Sequence, residues 1–136
     1  MTGGEQDCEF SSWQMMIDRR SVDVLQPDVM YMGGMCRTLH VARMGQAAGL
    51  PVTPHAANLG LVTICTMHLL RAIPNAGKYL EFSIEGPDYY PWQQGLFLGD
   101  PYRIDEGCAT VTDAPGWGVE VNPAFLASAS YRSSAL

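Results

Sequence analysis

The stretch "VDVLQPDVMYMGGMCRTLHVARMGQAAGLPVTPH", residues 22–55, shows two short apolar runs with a helical pattern between them. It opens with a short apolar run that ends at Asp28, and it closes with a second run, "VTPH", that ends on His55. Between the two runs, apolar residues recur at helical spacing, and Gly49 and Pro51 mark the end of that helix. A strand, a helix and a strand at this interval predict a β-α-β unit, because parallel strands need a long crossover.

The same alternation continues on both sides of this unit. Residues 8–20 carry one apolar helical stripe, and residues 59–73 carry another that Pro74 ends. "KYLEF", residues 78–82, is the next predicted strand. Runs this apolar on both faces favour strands covered by helices, so the predicted fold class is α/β with a parallel sheet.

After residue 82 the alternation of predicted strands and helices ends. Residues 83–107 are rich in proline, glycine and aromatic side chains, which predicts an ordered surface loop. "CATVTDAPGWGVEV", residues 108–121, predicts a strand, a turn and a strand that belong to another sheet. The last ten residues, "ASASYRSSAL", predict a frayed tail.

Composition limits the class of protein. A chain of 136 residues with 47% hydrophobic and 16% charged residues is typical of one globular domain. A net charge of −6 argues against a nucleic-acid or anionic-membrane surface. The longest apolar helix candidate is shorter than the roughly 20 residues that span a bilayer, and no signal peptide is visible, so we expect a soluble, cytoplasmic protein. Four widely spaced cysteines predict buried free thiols: Cys8, Cys36, Cys65 and Cys108.

The most informative feature is a series of ionisable residues in phase with the strands. Glu5, Asp28, His55 and Glu81 each lie at a predicted strand end, at successive steps of 23, 27 and 26 residues. One β-α unit of a barrel is about this long. The carboxyl ends of parallel strands form the active-site end of both barrels and open sheets, so we expect these four side chains to share one end of the sheet.

Each of the four has a simpler interpretation. Asp28 follows a proline and is typical of a turn aspartate, and Glu5 is typical of a solvated carboxylate near a terminus. His55 is compatible with a core or helix-capping role, although Asn58 is an equally good cap. Glu81 is harder to explain in this way, because a carboxylate within "YLEF" in a covered strand needs a partner, a metal or a proton.

Together the four residues indicate a specific chemistry. Two carboxylates and a histidine in one dry pocket suit a hard cation with oxygen ligands, a base near neutral pH and a protonated acid. Asp28, on the preceding strand end, is in position to fix the tautomer of His55. This set favours abstraction of a proton next to a carboxylate over phosphate transfer, for which no glycine-rich lysine loop is present. His40 and His68 lie within predicted helices and have no such company.

Over nearly its whole length the chain resembles the mandelate racemase group of the enolase superfamily. The matching motifs are "GGEQD" at residues 3–7, the long stretch from 22 to 59, "HLLRAIPNAGKYLEF" at 68–82 and "PGWGVEV" at 115–121. The resemblance implies strands five to eight of a TIM-type (β/α) barrel, its C-terminal half, over residues 1–85. It further implies a loop and hairpin that return to the capping domain over 86–127, and a flexible tail over 128–136.

The same resemblance implies roles for the four residues. Glu5 corresponds to the third carboxylate ligand of a Mg²⁺ ion, and His55 to a general base or acid paired with Asp28. Glu81 corresponds to the acid that hydrogen-bonds the substrate carboxylate as it becomes an enolate. The implied activity is dehydration of a small sugar acid by a protein that is a homo-oligomer at full length.

Parts of the family pattern are absent from the 136 residues. The first two metal ligands and the lysine motif precede "GGE" in the family, so we expect this chain alone to be inactive. Exposed strand edges predict aggregation or self-association of the isolated chain. Two alternatives stay open: a racemase or epimerase of the same group, with a lysine opposite His55, and a short non-catalytic assembly or binding protein.

Overall fold

A computed structural model describes residues 1–85 and 88–134. The start of the predicted segment 86–127 and the last two residues of the predicted tail 128–136 therefore lie outside the described residues. The elements in chain order are β1 (Thr2–Gly3), α1 (Phe10–Asp18), β2 (Val24–Leu25), α2 (Met35–Ala47), α3 (Leu61–Ala72), a 3₁₀ turn (Pro91–Gln93), β3 (Ile104–Asp105), β4 (Cys108–Ala109) and α4 (Pro123–Ser128).

Four segments of the first half lie side by side in chain order. β1 pairs with β2 in parallel, with Thr2 opposite Val24. Further parallel bridges join Leu25 to Val52 and Val52 to Ala76. The predicted parallel α/β arrangement is therefore confirmed for this part of the chain, and it brings the carboxyl ends of neighbouring segments to one edge.

The three helices α1, α2 and α3 fall within the predicted helical stretches. α1 and α2 bury one face each, whereas α3 is buried on all sides from Val62 to Met67. Their packing requires close approach to the strands: a Cβ added at Gly45 of α2 would lie 2.6 Å from Cδ1 of Leu25. Apolar burial of this kind is the main stabilising term for such a layer. The core joins α1, β2, α2, the segment after α2, and α3; its largest fully buried apolar members are Trp13, Leu25, Met32 and Leu69.

The predicted strand "KYLEF" is wrong. Regular pairing ends with the bridge between Val52 and Ala76 and the hydrogen bond from Gly77 N to Val52 O, and residues 78–82 form no strand. Among the described residues this segment has no strand on its other side, and Tyr79 is 70% exposed. A strand needs partners for its backbone groups, so an apolar composition alone does not make one here.

The predicted hairpin over residues 108–121 is also misplaced. The antiparallel pair is formed by β3 and β4, so the observed hairpin begins before residue 108. Glu106 and Gly107 both have positive φ, 46° and 77°, as a two-residue type I′ hairpin turn requires. Val121 pairs instead with Phe97 in an isolated antiparallel bridge.

The cysteines are free, as predicted, but only one of them is buried. Cys65 on α3 packs in the core, whereas the other three are exposed: Cys8, Cys36 and Cys108. Burial raises the pKa of the Cys65 thiol. The apolar periodicity of a helix shows that one face is buried, and Cys36 lies off that face of α2.

We expect a thiol reagent at pH 8 to label three cysteines of the folded chain rapidly and Cys65 only after denaturation. The thiolate is the nucleophile, and a raised pKa lowers the thiolate fraction of Cys65 at that pH while burial blocks access. Counting labelled thiols by mass spectrometry before and after adding guanidinium measures this. Labelling of all four at one rate would contradict the described burial, and a Cys65→Ala variant identifies the slow site.

No helix in residues 1–85 or 88–134 is both long and apolar enough to cross a bilayer.

Candidate active site

The carboxyl ends of β1, β2 and the next parallel segment meet at one edge and carry the predicted residues. Two residues after β1 comes Glu5, and the bridge between Asp28 and His55 continues the parallel pairing of neighbouring segments. Pro27 O accepts a hydrogen bond from His55 N at 3.2 Å, which fixes the register. Strand pairing therefore places the side chains of Asp28 and His55 next to each other.

Asp28 is almost fully buried and uses both carboxylate oxygens. Its Oδ1 accepts hydrogen bonds from Met30 N at 2.6 Å and Tyr31 N at 3.0 Å. Its Oδ2 lies 2.7 Å from Nδ1 of His55. Asp28 thus both closes a turn and contacts the histidine, and the turn holds the carboxylate in place.

The imidazole of His55 is held in a defined orientation. Because a carboxylate oxygen accepts hydrogen bonds, the Nδ1–H donates to Asp28, and in the neutral imidazole the lone pair lies on Nε2. Nε2 lies 4.0 Å from Oε2 of Glu5. The His55 side chain is 13% exposed and that of Glu5 45%, so the ring is shielded and the glutamate faces the open side. A histidine with this partner and tautomer is suited to accept a proton at Nε2.

His55 does not cap α3. That helix begins after Gly60 without a side-chain cap, and Asn58 Oδ1 accepts a hydrogen bond from Gly60 N at 3.0 Å. The capping interpretation of His55 is therefore excluded. The side chain of Asn58 stabilises the turn before the helix.

Glu81 reaches the same edge although it lies outside any strand. Its Oε2 accepts a hydrogen bond from Ala56 N, the residue after His55, at 3.2 Å. The side chain is half-buried, so the carboxyl lies against the backbone beside the histidine. The structure thus brings Glu5, Asp28 and Glu81 around one short segment that carries His55.

Two tyrosines of the C-terminal half contact this segment and could not be assigned a role from the sequence. Tyr90 donates its hydroxyl to Ala57 O at 3.0 Å, and Tyr102 donates to Gly60 O at 2.8 Å. Burial raises the pKa of the Tyr102 hydroxyl, which keeps it a donor. The acceptors of these hydroxyls are backbone oxygens, which no sequence pattern marks.

The other two histidines make contacts that need no catalytic role. His40 packs edge-on against Phe10, with ring centroids 4.6 Å apart. His68 Nε2 lies 3.0 Å from Trp117 O and ties α3 to the C-terminal segment. Both lie on helices, as predicted.

The site supplies only part of a metal centre. Across the part of the chain that the structure describes, no three His, Cys, Asp or Glu side chains cluster closely enough to hold an ion. The carboxylate of Glu5 is a hard oxygen donor on the open side, which suits Mg²⁺, but Mg²⁺ needs further ligands in near-octahedral geometry. Glu5 therefore offers one suitable oxygen donor, which is fewer than Mg²⁺ needs.

Comparison with known families gives a match over almost the whole chain. A model described as "Enolase C-terminal domain-like" matches residues 1–125. A curated relative, the D-gluconate dehydratase of Thermoproteus tenax, is 32% identical over 106 residues, which is 77% of this chain and 20% of that protein. The chain thus spans about a fifth of the length of that relative.

Solved structures show the same architecture. A provisionally assigned racemase from Roseobacter denitrificans is 69% identical with a TM-score of 0.94, and the match covers 99% of this chain and 37% of that protein. An enolase from Pantoea ananatis, solved with bound D-gluconate and Mg, is 25% identical with a TM-score of 0.74, over 93% of this chain and 29% of that protein.

Proposed function

The chain belongs to the enolase C-terminal domain-like family, and on that basis we propose that it supplies the proton-abstracting part of the active site of an acid-sugar dehydratase. Residues 1–85 correspond in this proposal to barrel strands five to eight and their helices, 86–127 to the return toward a capping domain, and 128–136 to a tail. The dehydratase class rests on the likeness to the D-gluconate dehydratase.

The observation that carries the proposal is the 2.7 Å contact between Asp28 and His55 across neighbouring parallel strand ends, with Glu81 held beside them. His55 Nε2 takes the proton α to the substrate carboxylate, and the electron pair moves toward that carboxylate. The Asp28 carboxylate stabilises the imidazolium that forms. Glu81 hydrogen-bonds the substrate carboxylate as its charge increases.

The second half of the reaction uses the same histidine. The bond from the β-carbon to its hydroxyl breaks, His55 returns a proton to the departing oxygen, and water leaves. The remaining enol becomes a 2-keto-3-deoxy acid, so the net change is loss of one water. Mg²⁺, when held by Glu5 together with ligands from outside this chain, would supply positive charge at the substrate carboxylate.

The test uses a spliced protein, in which this chain replaces the segment that it matches in the Roseobacter denitrificans protein. The two segments are 69% identical, so the junctions and core contacts are well matched. We expect the spliced protein to form a 2-keto-3-deoxy product with Mg²⁺ from at least one member of a panel of sugar acids that includes D-gluconate. A folded spliced protein that dehydrates no member of the panel would contradict the dehydratase assignment.

A racemase or epimerase is the second candidate, and one observation favours it: the provisional assignment of the Roseobacter denitrificans protein. The two activities differ in their products. In deuterium oxide a racemase yields the inverted acid with deuterium at the α-carbon and no loss of water. A dehydratase yields the keto acid, so proton NMR of one reaction mixture separates the two.

We expect the 136-residue chain alone to show no Mg²⁺-dependent dehydration of any of these acids. It contributes one fitting metal ligand, and a single carboxylate does not hold Mg²⁺, an ion that gives up its waters reluctantly. The assay is product formation at high protein concentration, with the spliced protein as the positive control. Turnover by the isolated chain that disappears in a His55→Asn variant would overturn this expectation.

A further inference from the structure

We propose that Tyr31 is a positioning residue that fixes the plane of the His55 imidazole. This inference rests on the proposed function, since it gives a catalytic purpose to an aromatic contact at the same site. The phenol and imidazole rings are stacked, with centroids 6.2 Å apart and planes inclined by 22°. Such offset stacking lies within the range in which aromatic rings attract each other.

The need for a second restraint follows from the geometry of the first. The Cβ–Cγ bond and the 2.7 Å hydrogen bond from Nδ1 to Asp28 set the ring torsion, but a hydrogen bond is soft and permits small rotations of the ring. Rotation would move Nε2, the atom that takes the proton. A phenol ring stacked beside the imidazole, with centroids 6.2 Å apart, limits this rotation without occupying Nε2.

The backbone places Tyr31 for this role. Asp28 Oδ1 accepts a hydrogen bond from Tyr31 N at 3.0 Å, so one carboxylate orients both the histidine and the turn that carries the tyrosine. Tyr31 is 55% exposed. An exposed aromatic residue beside a shielded histidine is poorly explained by core packing, because its ring contributes little burial.

The test compares Tyr31→Leu, which removes the ring, with Tyr31→Phe, which keeps it, and with Tyr131→Leu as a control at an exposed tyrosine in the C-terminal segment. The first readout is the carbon-bound proton signals of His55 in the 136-residue chain and in the spliced protein, assigned by their loss in His55→Asn. A stacked phenol shifts these signals upfield. We expect Tyr31→Leu to abolish the shift and the other two variants to retain it.

The second readout is the kinetics of the spliced protein. A small displacement of a reacting group costs up to about 100-fold in rate, so we expect Tyr31→Leu to lower kcat roughly 10- to 100-fold with KM little changed. Tyr31→Phe should restore kcat to near the parent value. If Tyr31 had only a structural role, Tyr31→Leu would not lower kcat selectively, and Tyr31→Phe would not restore it.

The outcomes separate the two proposals. If His55 signals in Tyr31→Leu coincide with those of the parent, the stacking is absent and the inference is wrong. If the shift is lost but kcat is unchanged, the ring contacts His55 without positioning it, and the inference is also wrong. If the parent spliced protein is folded and has no activity, the proposed function fails whatever the spectra show, and the positioning role falls with it.

Discussion

We expect the His55→Asn variant of the spliced protein to dehydrate its sugar acid about 10²- to 10⁴-fold more slowly than the parent, the usual contribution of a general base. Asparagine cannot accept the α-proton at this position, whereas the fold loses only the local contacts of the imidazole with Asp28 and Tyr31. The measurement is kcat and KM for formation of the keto acid. The loss should fall mainly on kcat, because the proton is transferred after the substrate binds.

The matched control for this variant is His68→Asn. His68 makes one hydrogen bond, to Trp117 O, and lies on α3. It should change kcat by less than a factor of about three, within the range that surface substitutions give. An equal loss in both variants would mean that a folding defect, not the loss of a base, explains the first result. A His55→Asn variant with parental kcat would exclude His55 as the base.

The second large effect concerns stability. We expect Trp13→Ala to lower the free energy of unfolding of the spliced protein by about 3–5 kcal/mol, as for other large aromatic residues removed from a core. Trp13 is fully buried on α1, and its Nε1–H donates to Asp7 O and lies 3.2 Å from Met32 Sδ. A loss of this size is a large fraction of the 5–15 kcal/mol typical of folded domains.

Far-UV circular dichroism against urea measures this change without relying on tryptophan fluorescence. The control is Trp92→Ala, because Trp92 is 51% exposed and packs edge-on near Tyr90. That substitution should cost about 1 kcal/mol, the scale of one aromatic pair. Equal midpoints for the two variants would contradict the burial of α1 against the sheet.

The parallel arrangement could be predicted because it depends on local signals. Proline and glycine end the runs on either side of α2, and the 3.6-residue periodicity identifies its buried face. The regular spacing of the predicted strand ends also indicates that Asp28 and His55 lie at the same end of the sheet. Their side chains are in contact in the structure. Features that follow from chain order and periodicity were thus accessible from sequence.

The features that the sequence did not predict depend on contacts with other parts of the chain, which a local sequence pattern does not contain. "KYLEF" is apolar enough for a strand, but among the described residues a neighbour is present on one side only and regular pairing ends at Ala76. The hairpin turn lies at Glu106 and Gly107, before the position at which the sequence predicted it. The contact between Tyr31 and His55 arises from a turn geometry that the sequence does not specify, which is why it was missed.

Deuterium exchange at the α-carbon tests the central claim most directly, since abstraction of that proton is common to both candidate activities. The spliced protein is incubated with sugar acids in deuterium oxide, with Mg²⁺ or with a chelator, and the substrates and products are examined by proton NMR. We expect Mg²⁺-dependent loss of the α-proton signal in the parent and its retention in His55→Asn. Exchange that proceeds equally in the two proteins would contradict the assignment of His55 and Asp28 as the proton-abstracting pair.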